Sequence, residues 1–242
     1  MATIHFIQQS KGGVGKSMLA AMMHQALTHY GKTTALYDID PSNATLHGYK
    51  EFSVNRLEIM VDGNINRRKF DKLIYDLNEL PTETHAIVDS GASSFIALGK
   101  YLMDENIPTL LAENGHFVLF HTIMVGGQGM SDTVNGLRSL ALGFPETPIV
   151  VWLNTHFGEI EMDDKGFEEF TIYQEFHKQF HAVISLPKTD AETTGKDLEI
   201  LFAKRQSFKT AIDSSQSIVV RSRLNRYWQR FLAVVDQAAI AV

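Results

Sequence analysis

The chain contains no cysteine. Disulfides, thiolate zinc sites and iron–sulfur clusters are therefore excluded. Proline is scarce, at 6 of 242 residues, and no Pro/Gly/Ser-rich stretch marks a linker. No apolar run approaches the roughly 18 residues that a membrane-spanning helix needs. Met1-Ala2-Thr3-Ile4-His5-Phe6-Ile7 shows no basic segment followed by a long apolar one, so no secretory signal is read. Positive charge is in deficit too. Lys and Arg number 22 against 28 Asp and Glu, a formal net charge of -6, so the chain as a whole is no polycation. These absences point to a soluble, cytoplasmic protein.

Apolar residues make up 44% of the chain, an ordinary globular share. The length suits one α/β domain spanning residues 1–242. Ile4–Ile7 reads as a buried strand, and Leu19, Met22, Met23, Ala26 and Leu27 recur at helical spacing behind it. Gly31 follows where a C-cap belongs, and Thr33–Tyr37 reads as the next strand. Further strands are expected at 85–89, 107–111, 118–125, 149–153 and 182–186. Helices are expected at 67–80, 95–103, 131–142 and 167–180, and over most of the chain from 196 onward. This alternation predicts a doubly wound, mostly parallel sheet with helices on both faces.

The turn after the first strand is Ser10-Lys11-Gly12-Gly13-Val14-Gly15-Lys16-Ser17-Met18. It fits G-x-x-x-x-G-K-[ST] except that Ser10 replaces the first glycine. Small residues let backbone N–H groups turn inward on an anion. The helix beginning near Lys16 adds its positive end. Lys16 can reach β- and γ-phosphates, and the Ser17 hydroxyl can ligate Mg²⁺. The strand before and the helix after supply the context that the motif demands.

The second lysine, Lys11, gives a Lys-Gly-Gly-x-Gly-Lys-Ser loop. This resembles the deviant Walker A ATPases, which include the ParA plasmid partitioners and the MinD cell-division ATPases. The resemblance implies a ParA/MinD-like P-loop fold and ATP as ligand, cradled by Gly12, Gly13, Val14, Gly15, Lys16, Ser17 and Met18. It implies that Lys11 reaches the phosphates of the other subunit, so that ATP drives homodimerisation. Asp38-Ile39-Asp40-Pro41-Ser42-Asn43 resembles the family's switch I. By that likeness Asp40 orients the attacking water and Asp38 lies near Mg²⁺. Asp89 closes a strand as a Walker B aspartate does and would hold Mg²⁺ through water. The family then continues with Thr-Pro; here Ser90-Gly91 follows. In relatives an Asn near Asn154 contacts adenine, and Pro187 falls where backbone meets the base.

A guanine reader would show Asn-Lys-x-Asp, but Thr155 and Phe157 occupy those positions. Cysteine-dependent relatives, such as the nitrogenase iron proteins, are excluded by composition. The ten histidines form no H-E-x-x-H site; His177 and His181 are four apart, but the second falls at a predicted strand start. Gly126-Gly127-Gln128-Gly129 lacks a lysine and hydroxyl and reads as a turn. From Lys204 to Arg230 there are seven basic residues and one acid, Asp213. Val220, Leu224, Tyr227, Phe231 and Val235 form one helical stripe, leaving a basic face. Non-specific DNA, or a conjugation or partition protein, ranks above a membrane surface as its partner.

Asp40–Thr45, Asp89–Phe95, Leu111-Ala112-Glu113 and Val150–Asn154 together resemble the TraL proteins of conjugative plasmids. That implies a slow, partner-stimulated ATPase serving plasmid transfer or maintenance. An ATP-dependent ligase or kinase on the same fold, and a non-hydrolysing nucleotide scaffold, stand as rivals.

Overall fold

β1 (Thr3–Ile7) is buried along its whole length, as a strand covered on both faces must be. The computed structural model describes residues 1–241. After β1 the glycine loop leads into α1 (Lys16–His29) and β2 (Thr33–Asp38). Next come β3 (Val54–Arg56), a hairpin of β4 (Met60–Val61) and β5 (Asn64–Ile65), α2 (Lys69–Asn78) and β6 (Thr84–Asp89). α3 (Phe95–Asp104), α4 (Ile107–Glu113), β7 (Phe117–Val125), α5 (Met130–Gly143) and β8 (Ile149–Asn154) follow. A second hairpin, β9 (Glu161–Met162) with β10 (Lys165–Gly166), leads to α6 (Thr171–Phe176) and β11 (Phe180–Ser185). Three helices close the chain: α7 (Thr194–Ala203), α8 (Phe208–Ser214) and α9 (Ile218–Gln237).

The main sheet has the order β11-β8-β7-β1-β6-β2-β3, and every adjacent pair is parallel. β1 is central, between β6 and β7. Connections diverge to either side of it, which opens a crevice at the carboxyl ends of the strands. One face packs on α2 to α6 through residues such as Phe70, Leu98, Leu111, Leu137 and Ile172. The other packs on α1 and α7 to α9 through Leu19, Met22, Leu198, Phe208 and Phe231. On α9 the expected stripe is buried at Leu224, Tyr227, Phe231 and Val235. Burying each such side chain contributes roughly 1.5–3 kcal/mol, enough to seat a helix whose other face is basic.

A polar line runs diagonally through the α1 side of this core. Trp152 Nε1 donates to His121 Nδ1 at 3.0 Å. His121 Nε2 meets His5 Nδ1 at 2.9 Å, and His5 Nε2 meets His85 Nδ1 at 3.0 Å. The indole N–H can only donate, so the direction of the whole chain follows: each histidine accepts at Nδ1, and His121 and His5 donate onward from Nε2. Burial is the main cause that keeps all three neutral. It holds His5 well below its ordinary pKa, His85 at about 4 and His121 at about 3.

Two expectations are corrected, and the helical region from 196 onward is borne out in finer detail. Residues 107–111 form the start of α4, not a strand. Pro108 suits a first helical turn, and Ile107 and Leu111 are buried one turn apart. The stretch 167–180 is broken: 3₁₀ turns at Phe167–Glu169 and His177–Gln179 bracket the short α6, and Phe180 already belongs to β11. Two hairpins and β3 went unread. Their turns place Asp62, Gly63, Asp163 and Asp164 at positive φ, the signature of tight two-residue connections. The terminal helical region is three helices, divided at Arg205 (φ 51) and by the N-caps Ser207 and Ser217. Among the described residues no helix is long and apolar enough to cross a membrane.

Candidate functional site

Strand register brings the site together. Ile7, Asp89 and Asp38 are in-register partners across β1, β6 and β2. The glycine loop leaves β1 at that edge, so loop and carboxylates share one end of the sheet. Within the loop Gly13 and Gly15 have φ of 75° and 106°, which a side chain would strain. Gly15 caps α1 with no side-chain bond of its own, leaving the first N–H groups of the helix to the loop's concavity.

Lys16 is 7% exposed and folds back so that Nζ donates to the Lys11 carbonyl at 2.9 Å. Burial lowers its pKa, while Asp89 and Asp40 oppose that shift. Lys11 points elsewhere. Its Nζ pairs with Asp132 Oδ2 at 2.8 Å, both side chains being about half exposed. An ion pair so exposed is worth about 0–1 kcal/mol.

Asp89 is 1% exposed. Burial is the main cause that pushes its carboxyl up to about 7; Asp38 and Asp40 add to the shift, and Ser17 and Lys16 oppose it. Ser17 lies near enough to favour the charged form, yet neither carboxylate oxygen accepts a well-formed hydrogen bond. Asp38 is also pushed up by burial, against N–H bonds from Asp40 (3.1 Å) and His47 (2.9 Å). Hard, unpaired oxygens beside a hydroxyl fit Mg²⁺, which takes few protein ligands and keeps water and phosphate oxygens. Accordingly, no three acidic or histidine side chains among the described residues are spaced to enclose a metal.

Asp40 stands outside this buried pair. Its Oδ1 accepts the N–H groups of Ser42 (2.8 Å) and Asn43 (3.1 Å). With Gly12, Gly13, Lys16, Ser17 and Asn43 it lines a cavity of about 510 Å³. A neighbouring cavity of about 570 Å³ shares Gly13, Gly15 and Met18 with the first and continues past Val14, Asn154, Pro187 and Tyr227. Through those shared residues the two cavities adjoin as one cleft, with Lys16 and Asp40 in the first and apolar Leu186, Pro187 and Leu198 beside charged Glu159, Lys188 and Glu199 in the second. Asn154 is tied down within it: Nδ2 donates to the Val14 carbonyl at 3.1 Å and Oδ1 accepts from the His156 N–H at 3.1 Å. A separate cavity of about 590 Å³ lies among α2, α3 and α4. Its polar groups pair with one another, as Arg67 with Asp104 and Tyr101 with Asp71.

The structure thus gathers Lys16, Ser17, Asp38, Asp40 and Asp89 at one edge, sets Val14, Met18, Asn154 and Pro187 along the adjoining cleft, and turns Lys11 outward on the rim. Asp132 as the partner of Lys11, and Phe157 and Tyr227 as residues lining the cleft, were not expected from the sequence. Asp132 is 121 positions from Lys11, and no local pattern announces the pair. The 126–129 glycine cluster is a turn, as expected, with a packing reason: the backbone of Phe157, Gly158 and Glu159 passes too close for side chains at Gly126 and Gly127.

A model described as the CobQ/CobB/MinD/ParA nucleotide binding domain matches residues 5–217. A TraL protein of Escherichia coli is 40% identical over 242 residues, covering 99% of this chain and 100% of that protein. Among solved structures, a chain of the MinC:MinD cell division protein complex of Aquifex aeolicus matches with a TM-score of 0.56 and 15% identity, covering 93% of this chain and 94% of that one. The septum site-determining protein MinD of Pyrococcus horikoshii OT3, complexed with Mg-ADP, matches with a TM-score of 0.53 and 15% identity over 100% of this chain and 99% of that one. These two likenesses show the fold. Matched by the family model over most of its length and by the TraL protein end to end, the chain belongs to the CobQ/CobB/MinD/ParA nucleotide-binding family, alongside the TraL proteins.

Proposed function

We propose that the chain, acting as one unit over residues 1–242, is an ATP-controlled molecular switch. ATP and Mg²⁺ bind at the loop, two copies close face to face, and slow hydrolysis separates them. The observation that carries this reading is the meeting of buried Lys16 and half-buried Ser17 with Asp38, Asp40 and Asp89 at one sheet edge beside a nucleotide-sized cleft.

In this reading the backbone N–H groups of Gly12, Gly13, Val14 and Gly15 cradle the phosphates, and desolvated Lys16 neutralises them. Ser17, Asp38 and Asp89 hold Mg²⁺, which when bound neutralises charge on the transferred phosphoryl group. Asp40 orients the attacking water, and Met18, Asn154 and Pro187 face the nucleoside. Lys11 exchanges Asp132 for the phosphates of the partner copy; its half-exposed place on the rim supports this. The likeness to TraL proteins supports a role in plasmid transfer or maintenance. On α9 the exposed Arg221, Arg226 and Arg230 favour non-specific DNA as the surface read, with a conjugation or partition protein as the other candidate.

Size-exclusion chromatography with light scattering, in Mg²⁺ and a non-hydrolysable ATP analogue, tests the switch. The wild type should become a dimer. Lys11→Ala should still bind a fluorescent analogue but remain a monomer. A wild type that binds the analogue and stays monomeric would sink the proposal.

A further inference from the structure

We infer that Gly91 is a positioning residue for hydrolysis: its missing side chain leaves the floor on which the Asp40 carboxylate lies. The inference rests on the ATPase reading above and adds a residue to it. After the strand aspartate Asp89 the chain runs Ser90-Gly91. Gly91 is buried, and its φ is not among the positive values that demand glycine. Backbone conformation therefore does not explain it; space does. A Cβ at Gly91 would collide with Cγ and Oδ1 of Asp40 and lie 2.8 Å from Oδ2.

Both sides of this contact are tethered by hydrogen bonds. Asp40 Oδ1 is held by the N–H groups of Ser42 and Asn43. The backbone of Gly91 is held in turn. Ser90 Oγ, just before it, donates to the Ile7 carbonyl at 2.8 Å. The Gly91 carbonyl accepts from both Ser94 Oγ (3.0 Å) and Ser94 N–H (3.2 Å). Ser90 and Ser94 are themselves 1% and 0% exposed. The two loops also touch through Ser42 Oγ and Ser93 Oγ at 3.3 Å. Asp40 is thus clamped above by an Asx turn and below by bare backbone. A side chain at 91 must push the carboxylate aside, and a displacement of about 1 Å at a reacting group costs on the order of 100-fold in rate.

Phosphate release at saturating Mg-ATP, affinity for a fluorescent non-hydrolysable analogue, and melting temperature are measured for wild type, Gly91→Ala, Asp40→Ala and the double variant. Gly91→Ala should lose on the order of 100-fold in kcat while its analogue affinity stays near that of the wild type. The double variant should turn over no more slowly than Asp40→Ala alone. Because Asp40→Ala removes the obstruction, Gly91→Ala should lower the melting temperature of the wild type but not that of the Asp40→Ala background; this arm decides the contact even where Gly91→Ala folds poorly. Wild-type turnover with Gly91→Ala equally active, or equal destabilisation on both backgrounds, overturns the inference alone. A wild type without turnover, with or without DNA, overturns the ATPase reading and this inference with it.

Discussion

Two buried polar clusters sit in the same sheet, and they are completed to different degrees. In the middle, Trp152, His121, His5 and His85 satisfy one another in a single directed chain. At the carboxyl edge, both oxygens of Asp89 are buried and accept no bond, while Asp38 beside it is pushed toward neutrality by burial. Both clusters are equally remote from water, at 0–2% exposure. A satisfied buried network costs little and specifies one packing. An unpaired buried carboxylate costs stability and is retained where something cationic offsets it.

The comparison breaks most readily at His5. Replacing it with leucine strands the His121 Nε2–H donor and the His85 Nδ1 acceptor. Each buried orphan costs about 1–3 kcal/mol, so His5→Leu should lose about 3 kcal/mol in urea denaturation. Unchanged stability would mean that the chain of imidazoles is not a completed network.

Asp89→Asn should act in the opposite direction. In metal- and nucleotide-free buffer near pH 8 it should gain about 1–3 kcal/mol, because a buried charge is removed. Its affinity for the Mg²⁺–nucleotide should fall at least about tenfold, worth 1.4 kcal/mol. A destabilised Asp89→Asn would place Asp89 with the architectural groups.

The smallest effect sharpens the contrast through pH. The histidine pKa values are lowered by folding, so the unfolded chain binds more protons below about 6.5. Their contribution to stability is complete above that pH and is lost as pH falls toward about 4 for His85 and about 3 for His121. Asp89 is raised to about 7, so the native state binds more protons between about 4 and 7, and stability falls as pH rises through that window. The two clusters therefore oppose each other. Asp89→Asn should steepen the rise of stability between about pH 4.5 and 6.5 by about 1 kcal/mol per unit, one proton's worth. Parallel pH profiles for variant and wild type would show that Asp89 does not titrate as its burial demands.

The loop was legible because its chemistry is local. Glycines, a lysine and a hydroxyl at set offsets between a strand and a helix announce a phosphate cradle without distant help. The meeting of Asp38, Asp40 and Asp89 at one edge was legible because the carboxyl ends of parallel strands lie on one side of the sheet. The misread at 107–111 has a physical cause as well: a short apolar run without periodicity suits strand or helix equally, and the place beside the central β1 is taken by β7 instead. The hairpins at 60–65 and 161–166 have two-residue strands, too short for an alternating pattern to show.

By itself the sequence determined the α/β alternation, the phosphate loop and the set of acids at the strand ends, since each depends on neighbours within a few residues. Tertiary structure alone decided the rest. Strand register made three separated histidines and a tryptophan into one network. Packing of one loop on another gave Gly91 its meaning beneath Asp40, and the placement of α5 gave Lys11 its partner Asp132. These are contacts between residues 31 to 121 positions apart, and only the folded sheet sets such distances.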